Sequence, residues 1–189
     1  MTENKISKLP KVLNKYLCTM TRASKDTTND EAMCESDIKV INFDKIPNEY
    51  TRGKGWRGVP KSNDALYIDD NDKWFFIEFK NGTIHKEDIY RKIYDSIIML
   101  IELKVIPDFE FARQNITYIL VYNEGKHRKI QQSQGRDQNM NYLLRLSEKE
   151  NRMFDIYKLE DYLLKETHTY TKDLFNTNFI IPKEKEEIE

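Results

Sequence analysis

The apolar positions of this chain change period along its length, and each period predicts an element. Leu9, Val12, Leu13, Tyr16, Leu17 and Met20 fall at i, i+3, i+4, i+7, i+8 and i+11, which is one face of a helix over about 9–22. Pro10 suits its first turn, and Lys11, Asn14 and Lys15 take the opposite face. Residues 22–36 are polar and read as a loop, closing on a short helix. Residues 38–43 (IKVINF) read as a short strand. Residues 44–63 hold two prolines, three glycines and no period, which predicts a long irregular loop.

From Ala65 the pattern sharpens. Residues 65–68 (ALYI) predict a strand, and Asp69-Asp70-Asn71-Asp72 a hairpin turn. Trp74 to Lys80 predicts a second strand, rich in aromatics and closed by Asn81-Gly82. Ile89, Ile93, Ile97, Leu100 and Ile101 mark a helix over 85–104 that Pro107 ends. Residues 116–122 (ITYILVY) are almost continuously apolar, as in the middle of a sheet. A polar loop over 123–139, a helix over 140–148, an edge strand or turn at FDIYKL and short helical pieces over 159–177 follow. The last residues, 183–189, read as a frayed charged tail. This order predicts an α/β fold, with a central mixed β-sheet flanked by helices, in a single domain spanning 1–189.

Composition narrows the classes. At 189 residues, with 39% hydrophobic and 12% aromatic content, the chain can bury a core and is not of disordered type. The net charge of −1 means that any nucleic-acid site must be a local patch on a balanced surface. Cys18 and Cys34 are too few for a disulfide framework and match no zinc spacing. The N-terminus lacks the apolar core of a secretory signal. Apolar runs such as Ile97–Ile101 fall far short of the roughly 18 residues that span a membrane. The expectation is a soluble cytoplasmic protein with no membrane partner.

Candidate chemistry concentrates in SNDALYIDDNDKWFFIEFKNG. Side chains alternate along a strand, so Glu78 and Lys80 share a face while Ile77 and Phe79 take the other. A hairpin centred on Asn71 pairs residues whose numbers sum to 142, which sets Asp64 opposite Glu78, about 5 Å away. Two carboxylates that close repel unless a proton or cation lies between them. Hard oxygen donors with room for water suit Mg²⁺ or Mn²⁺. Lys80, one pleat further on, would orient a water or stabilise charge on a phosphate oxygen. The bland alternative is a solvated sheet face carrying a Glu–Lys pair.

Asp64, a turn, and Glu78-Phe79-Lys80 within apolar strands resemble the PD-(D/E)XK, or restriction-endonuclease-like, nuclease superfamily over residues 60–122. The resemblance implies a metal-dependent endonuclease that hydrolyses phosphodiester bonds of DNA or RNA. Asp64, Glu78 and the Phe79 carbonyl would hold the metal, and Lys80 would be catalytic. It also implies an acid from an earlier helix, for which Glu35 and Glu49 are both open, and a polar residue on the following helix, for which Lys92 is the choice. The usual proline before the aspartate is replaced by Asn63, with Pro60 four positions upstream. The rival reading is a catalytically inactive module of the same fold that binds or scaffolds, such as a subunit of a defence or toxin system. Many such enzymes act as dimers, so a homodimer is a possible assembly.

Two basic clusters are candidates for nucleic-acid contact. Arg52, Lys54, Arg57 and Lys61 surround Trp56 with no acid among them, a composition suited to phosphate contact and base stacking. Lys126, Arg128 and Lys129, with His127 among them, follow the central strand. The first can equally be an ordinary basic surface loop, and a run like the second is more often only a solvated turn. His85, His127 and His168 show no ligand spacing and read as surface or capping residues.

Overall fold

The computed structural model describes residues 1–26, 28–126, 150 and 152–188. Its strands are β1 (Leu17–Thr19), β2 (Lys25–Asp26), β3 (Glu31–Ala32), β4 (Lys39–Asn42), β5 (Ala65–Ile68), β6 (Trp74–Lys80), β7 (Ile116–Tyr122) and β8 (Glu166–Thr171). Six of them form one mixed sheet in the order β1-β4-β5-β6-β7-β8, while β2 and β3 form a separate hairpin. Neighbours from β1 to β6 are antiparallel, and β6-β7 and β7-β8 are parallel.

A parallel pair needs a crossover. Helices α5 (Lys86–Glu102) and α6 (Phe109–Asn115) supply it between β6 and β7. On α5, Ile89, Ile93, Ile97 and Leu100 are fully buried, each stabilising the fold by about 2 kcal/mol. Register puts Leu66, Phe76, Glu78, Tyr118, Leu120 and Thr169 on one face of the sheet. Helix α5 covers that face and bonds to Glu78 through Lys92. The opposite face packs on the C-terminal helical run of α7 (Lys172–Phe175), a π-helical turn (Asn176–Ile180) and α8 (Ile181–Ile188). There Phe79 meets Phe175 at 5.7 Å between ring centroids, and Phe75 meets Phe179 at 5.2 Å.

Several sequence expectations are corrected. In place of one helix over 9–22 there are α1 (Glu3–Lys8), the single turn α2 (Lys11–Asn14), β1 and α3 (Met20–Ala23). Leu9 and Pro10 are extended, and Leu17–Thr19 pairs with Lys39–Ile41; sheet pairing along β4 outweighs a helical period of only three turns. Within the expected loop of 44–63, a 3-10 turn (Phe43–Lys45) runs into α4 (Ile46–Thr51), with Pro47 in its first turn. Helix α6 was not anticipated; Asp108 caps it, its carboxylate accepting from the Phe111 N–H at 2.8 Å. Of the edge strand or turn expected at FDIYKL, the strand does not form: a 3-10 helix (Ile156–Asp161) begins there.

The expected helical pieces over 159–177 include a strand, β8, whose Thr167, Thr169 and Thr171 face inward. The tail over 183–189 is helical through Ile188 in α8, because Lys183 is buried against Asp69 at 3.1 Å and Glu186 at 2.6 Å. His127, Arg128, Lys129 and the helix expected over 140–148 lie outside the described residues. No helix among the described residues is long and apolar enough to cross a membrane.

Candidate functional site

The hairpin β5–β6 fixes the geometry. Its register pairs Ala65 with Ile77 and Ile68 with Trp74, every pair summing to 142, so the next step outward sets Asp64 opposite Glu78. Asp69 holds the turn: its Oδ1 accepts from the Asn71 and Lys73 N–H groups at 3.0 and 2.9 Å, while its Oδ2 pairs with Lys183. Asp72 takes the left-handed conformation the turn requires, at φ +59°.

Four charged groups then converge. Lys92 on α5 donates to Glu78 Oε1 at 2.6 Å and to Asp64 Oδ1 at 3.1 Å. Lys80 Nζ stands 2.9 Å from the same Glu78 Oε1. Asp64 Oδ2 accepts from the Phe79 N–H at 2.6 Å. Glu78 is 0% exposed, and its Oε2 has no hydrogen-bond partner. The cation between the carboxylates is therefore a side chain of the protein.

Burial penalises the Glu78 charge and the nearby Asp64 repels it. Lys92 and Lys80 offset only part of this, so the carboxyl is pushed up to about 7. Burial works against the Lys92 charge as well, but attraction by Glu78 and Asp64 prevails and holds the ammonium above its usual range. The hydroxyl of Tyr118, buried without a partner on the same sheet face, is raised well above the ordinary tyrosine range by burial and by the negative charge of Glu78 and Asp64.

A third acid, Asp44, stands near Asp64. Its carboxyl is raised by surrounding protein first and by repulsion from Asp64 second, although its surface is solvent-accessible. Ser62 donates to it at 3.0 Å. The placement follows from register: β4 pairs Ile41 with Leu66 and Asn42 with Ala65, and the Phe43 N–H bonds the Asp64 carbonyl at 3.0 Å. Asp44 was not among the expected acids. An antiparallel pairing of the two predicted strands would have pointed to it.

Glu49 is engaged elsewhere, by Lys15, Tyr16 and Arg52. Glu35 is exposed, and no described contact joins it to Asp64 or Glu78.

The approach to Asp64 is a cleft of about 370 Å³, lined by Asp44, Asp64, Phe79, Asn81 and the β2–β3 hairpin with Asp26. Asn81 ties the hairpin down, donating to Asp26 Oδ2 at 2.9 Å and Glu31 Oε2 at 3.2 Å and accepting from Asn123 at 2.8 Å. Among the described residues, no group of three or more His, Cys, Asp or Glu side chains is arranged to hold a metal ion.

The basic candidates are dispersed. Arg52 pairs with Glu49 at 2.6 Å, and Lys54 lies over the Tyr50 and Trp56 rings. Arg57 is exposed, and the Lys61 N–H bonds Asp95 Oδ2 at 2.8 Å. Lys126 pairs with Glu31 at 3.1 Å, across the cleft hairpin. Of the histidines, His85 sits at the α5 N-cap without a side-chain capping bond, and His168 pairs with Glu150 and stacks on Tyr170. No protein-family model, curated protein or solved structure matches this chain.

Proposed function

We propose that the chain is a metal-dependent nuclease with a restriction-endonuclease-like core, hydrolysing phosphodiester bonds at the Asp64–Glu78–Lys80 centre. The observation that carries the reading is that Asp64 and Glu78, from adjacent strands, share one positive charge at 3.1 and 2.6 Å, beside a fully buried carboxylate oxygen that has no partner. The antiparallel run β4-β5-β6, the crossover through α5 and the parallel β7 support the same reading. So does the acid Asp44, which lies in a helical turn before the hairpin.

The donor chemistry of Asp64 and Glu78 suits Mg²⁺ or Mn²⁺ once Lys92 withdraws from between them. Two hard carboxylates suffice for an ion that keeps several waters and takes the rest of its shell from substrate phosphate, so a third protein ligand is not required. Asp64 and Glu78 would hold such an ion, with the Phe79 carbonyl as a further donor. When bound it supplies Lewis acidity and a water of lowered pKa.

The side chains do the rest. Without the ion, burial and Asp64 push the Glu78 carboxyl up to about 7, so ion binding would displace its proton near neutral pH. Lys80 and Lys92 place positive charge where a phosphate oxygen gains negative charge. Asp44 adds charge at the mouth of the cleft. The free thiols of Cys18 and Cys34 suit a reducing compartment, and we place the protein in the cytoplasm.

One observation favours a second reading. Lys92 already neutralises the carboxylate pair from within, as an inactive binding or structural module would require. Incubation with plasmid, single-stranded DNA and transfer RNA in Mg²⁺, Mn²⁺ or EDTA separates the two. The nuclease reading expects cleavage of at least one substrate that needs the metal and is abolished in Glu78→Ala and Lys80→Ala. Binding without cutting in every condition would leave the inactive module.

A further inference from the structure

The loop after α4 builds an aromatic feature that the fold does not consume. Gly53 and Gly55, at φ +77° and +68°, turn the chain back on itself. Tyr50 and Trp56 then meet edge to face, with centroids 5.8 Å apart at 75°. Lys54 Nζ lies 3.6 Å from the Tyr50 centroid and 5.0 Å from that of Trp56. Trp56 nevertheless remains 54% exposed, and Val59, three residues on, 51%. The other tryptophan, Trp74, is 7% exposed and packs edge-on against Phe111. An indole held in a fixed orientation with half its surface in water presents a rigid flat platform.

Its surroundings are cationic. Residues 52–61 carry Arg52, Lys54, Arg57 and Lys61 and no acid, on a chain whose net charge is −1. Glu49 neutralises Arg52, but a lysine resting on ring faces keeps its charge, and the Arg57 and Lys61 side chains have no ionic partner among the described residues. Such a surface suits an anion with flat apolar groups, which is the chemistry of a nucleic-acid strand. In a duplex the base faces are stacked on one another and only their edges are open. An indole face finds a partner only where bases are unpaired.

The loop is also fastened to the candidate site. Lys61 N–H bonds Asp95 Oδ2 at 2.8 Å, Ser62 bonds Asp44 at 3.0 Å, and Asn63 N–H bonds Ser96 Oγ at 3.0 Å. These bonds anchor its end to the turn carrying Asp44 and to the helix carrying Lys92. Trp56 precedes Asp64 by eight positions, so it lies within about 28 Å of it along the chain.

We propose that Trp56 is a base-stacking platform flanked by Arg57 and Lys61, and that the chain takes single-stranded nucleic acid as its substrate. This deepens the nuclease reading and rests on it for the word substrate; the binding itself does not require turnover.

Tryptophan fluorescence in EDTA tests it. A thymidine oligonucleotide of about twenty residues should quench the exposed emission, and a duplex of the same length should do so at least tenfold less effectively. Trp56→Ala should weaken oligonucleotide binding, followed by anisotropy, about tenfold or more. Arg57→Ala should lower the salt dependence of binding, by about 0.7 in log–log slope if one phosphate is no longer neutralised. The buried Trp74 emission reports that each variant is folded. Equal binding of duplex and single strand, or unchanged affinity in Trp56→Ala, overturns the proposal. So does binding of polyglutamate or anionic vesicles in place of the oligonucleotide. Cleavage assays with Mn²⁺ fail separately: binding in EDTA with no cleavage sinks the catalytic reading alone, whereas cleavage with duplex preference sinks this one alone.

Discussion

Lys92 donates to Glu78 Oε1 at 2.6 Å from a helix that crosses above the strand bearing the carboxylate. An internal ammonium thus sits where the hairpin register would otherwise leave two facing acids unbalanced. Removing one member of a buried pair costs about 3–5 kcal/mol, because the remaining charge is stranded. Lys92→Ala is therefore expected to destabilise the fold by about 3 kcal/mol at pH 8. The effect should be smaller at pH 5, where Glu78 is protonated and needs no partner. Urea denaturation at the two pH values measures the difference; equal destabilisation would contradict it.

Glu78 also sets a pH dependence in the wild type. Its folded-state carboxyl is raised from the ordinary 4.5 to about 7, so the native protein keeps a proton that the unfolded chain has released. The resulting stability is fully present below about pH 4.5 and is lost as pH rises through about 7, with an upper bound of about 3 kcal/mol. In EDTA, the melting temperature should fall between pH 5 and pH 8 in the wild type and change much less in Glu78→Gln. A wild-type curve that rises over this window would refute the assignment.

Asp44 offers a distinction between holding an ion and supporting it. Calorimetric titration with Mn²⁺ at pH 7.5 should show binding to the wild type and none to Asp64→Ala. Asp44→Asn should weaken it about tenfold, the scale of outer-shell effects. Because the ion competes with the Glu78 proton, affinity should increase between pH 6 and pH 8. Identical affinity in wild type and Asp44→Asn would remove Asp44 from the site.

Asp69 governs the register from a distance. Asp69→Ala removes two turn hydrogen bonds and one of the two acids that Lys183 meets, leaving it Glu186, and a cost of about 2 kcal/mol is expected. Asp69→Asn keeps an acceptor for the turn but not the charge for Lys183, so it should fall between the two. Chemical denaturation orders the three proteins; a neutral Asp69→Ala would show that the turn residues alone fix the pairing.

The parts legible in the sequence were those set by local patterns. The sum of 142 could be read from one turn of Asp and Asn residues, and it located Asp64, Glu78 and Lys80; Lys92 came from the resemblance and from its place beside the buried stripe of α5. What escaped depended on pairings distant in sequence. Leu17–Thr19 carry a helical period but pair with β4, and Glu166–Thr171 carry charge and histidine but pair with β7. The alternation of Thr167, Thr169 and Thr171 was the available sign of that strand, obscured by its polarity. Asp44 was missed because the segment after IKVINF lacks any period, and its position depends on the pairing of β4 with β5. The helical tail depends on Lys183 meeting an acid 114 positions earlier.

The β2–β3 hairpin over the cleft is fastened differently from the rest of the molecule. None of its described residues from Lys25 to Ala32 is buried, and it is tied through Asn81, Lys126 and Lys172. Lifting it would expose little hydrocarbon and exchange hydrogen bonds to protein for hydrogen bonds to water. Amide protons there should exchange with deuterium well ahead of those in β6 and β7, and thermal motion should reach the cleft mouth long before the sheet beneath begins to melt.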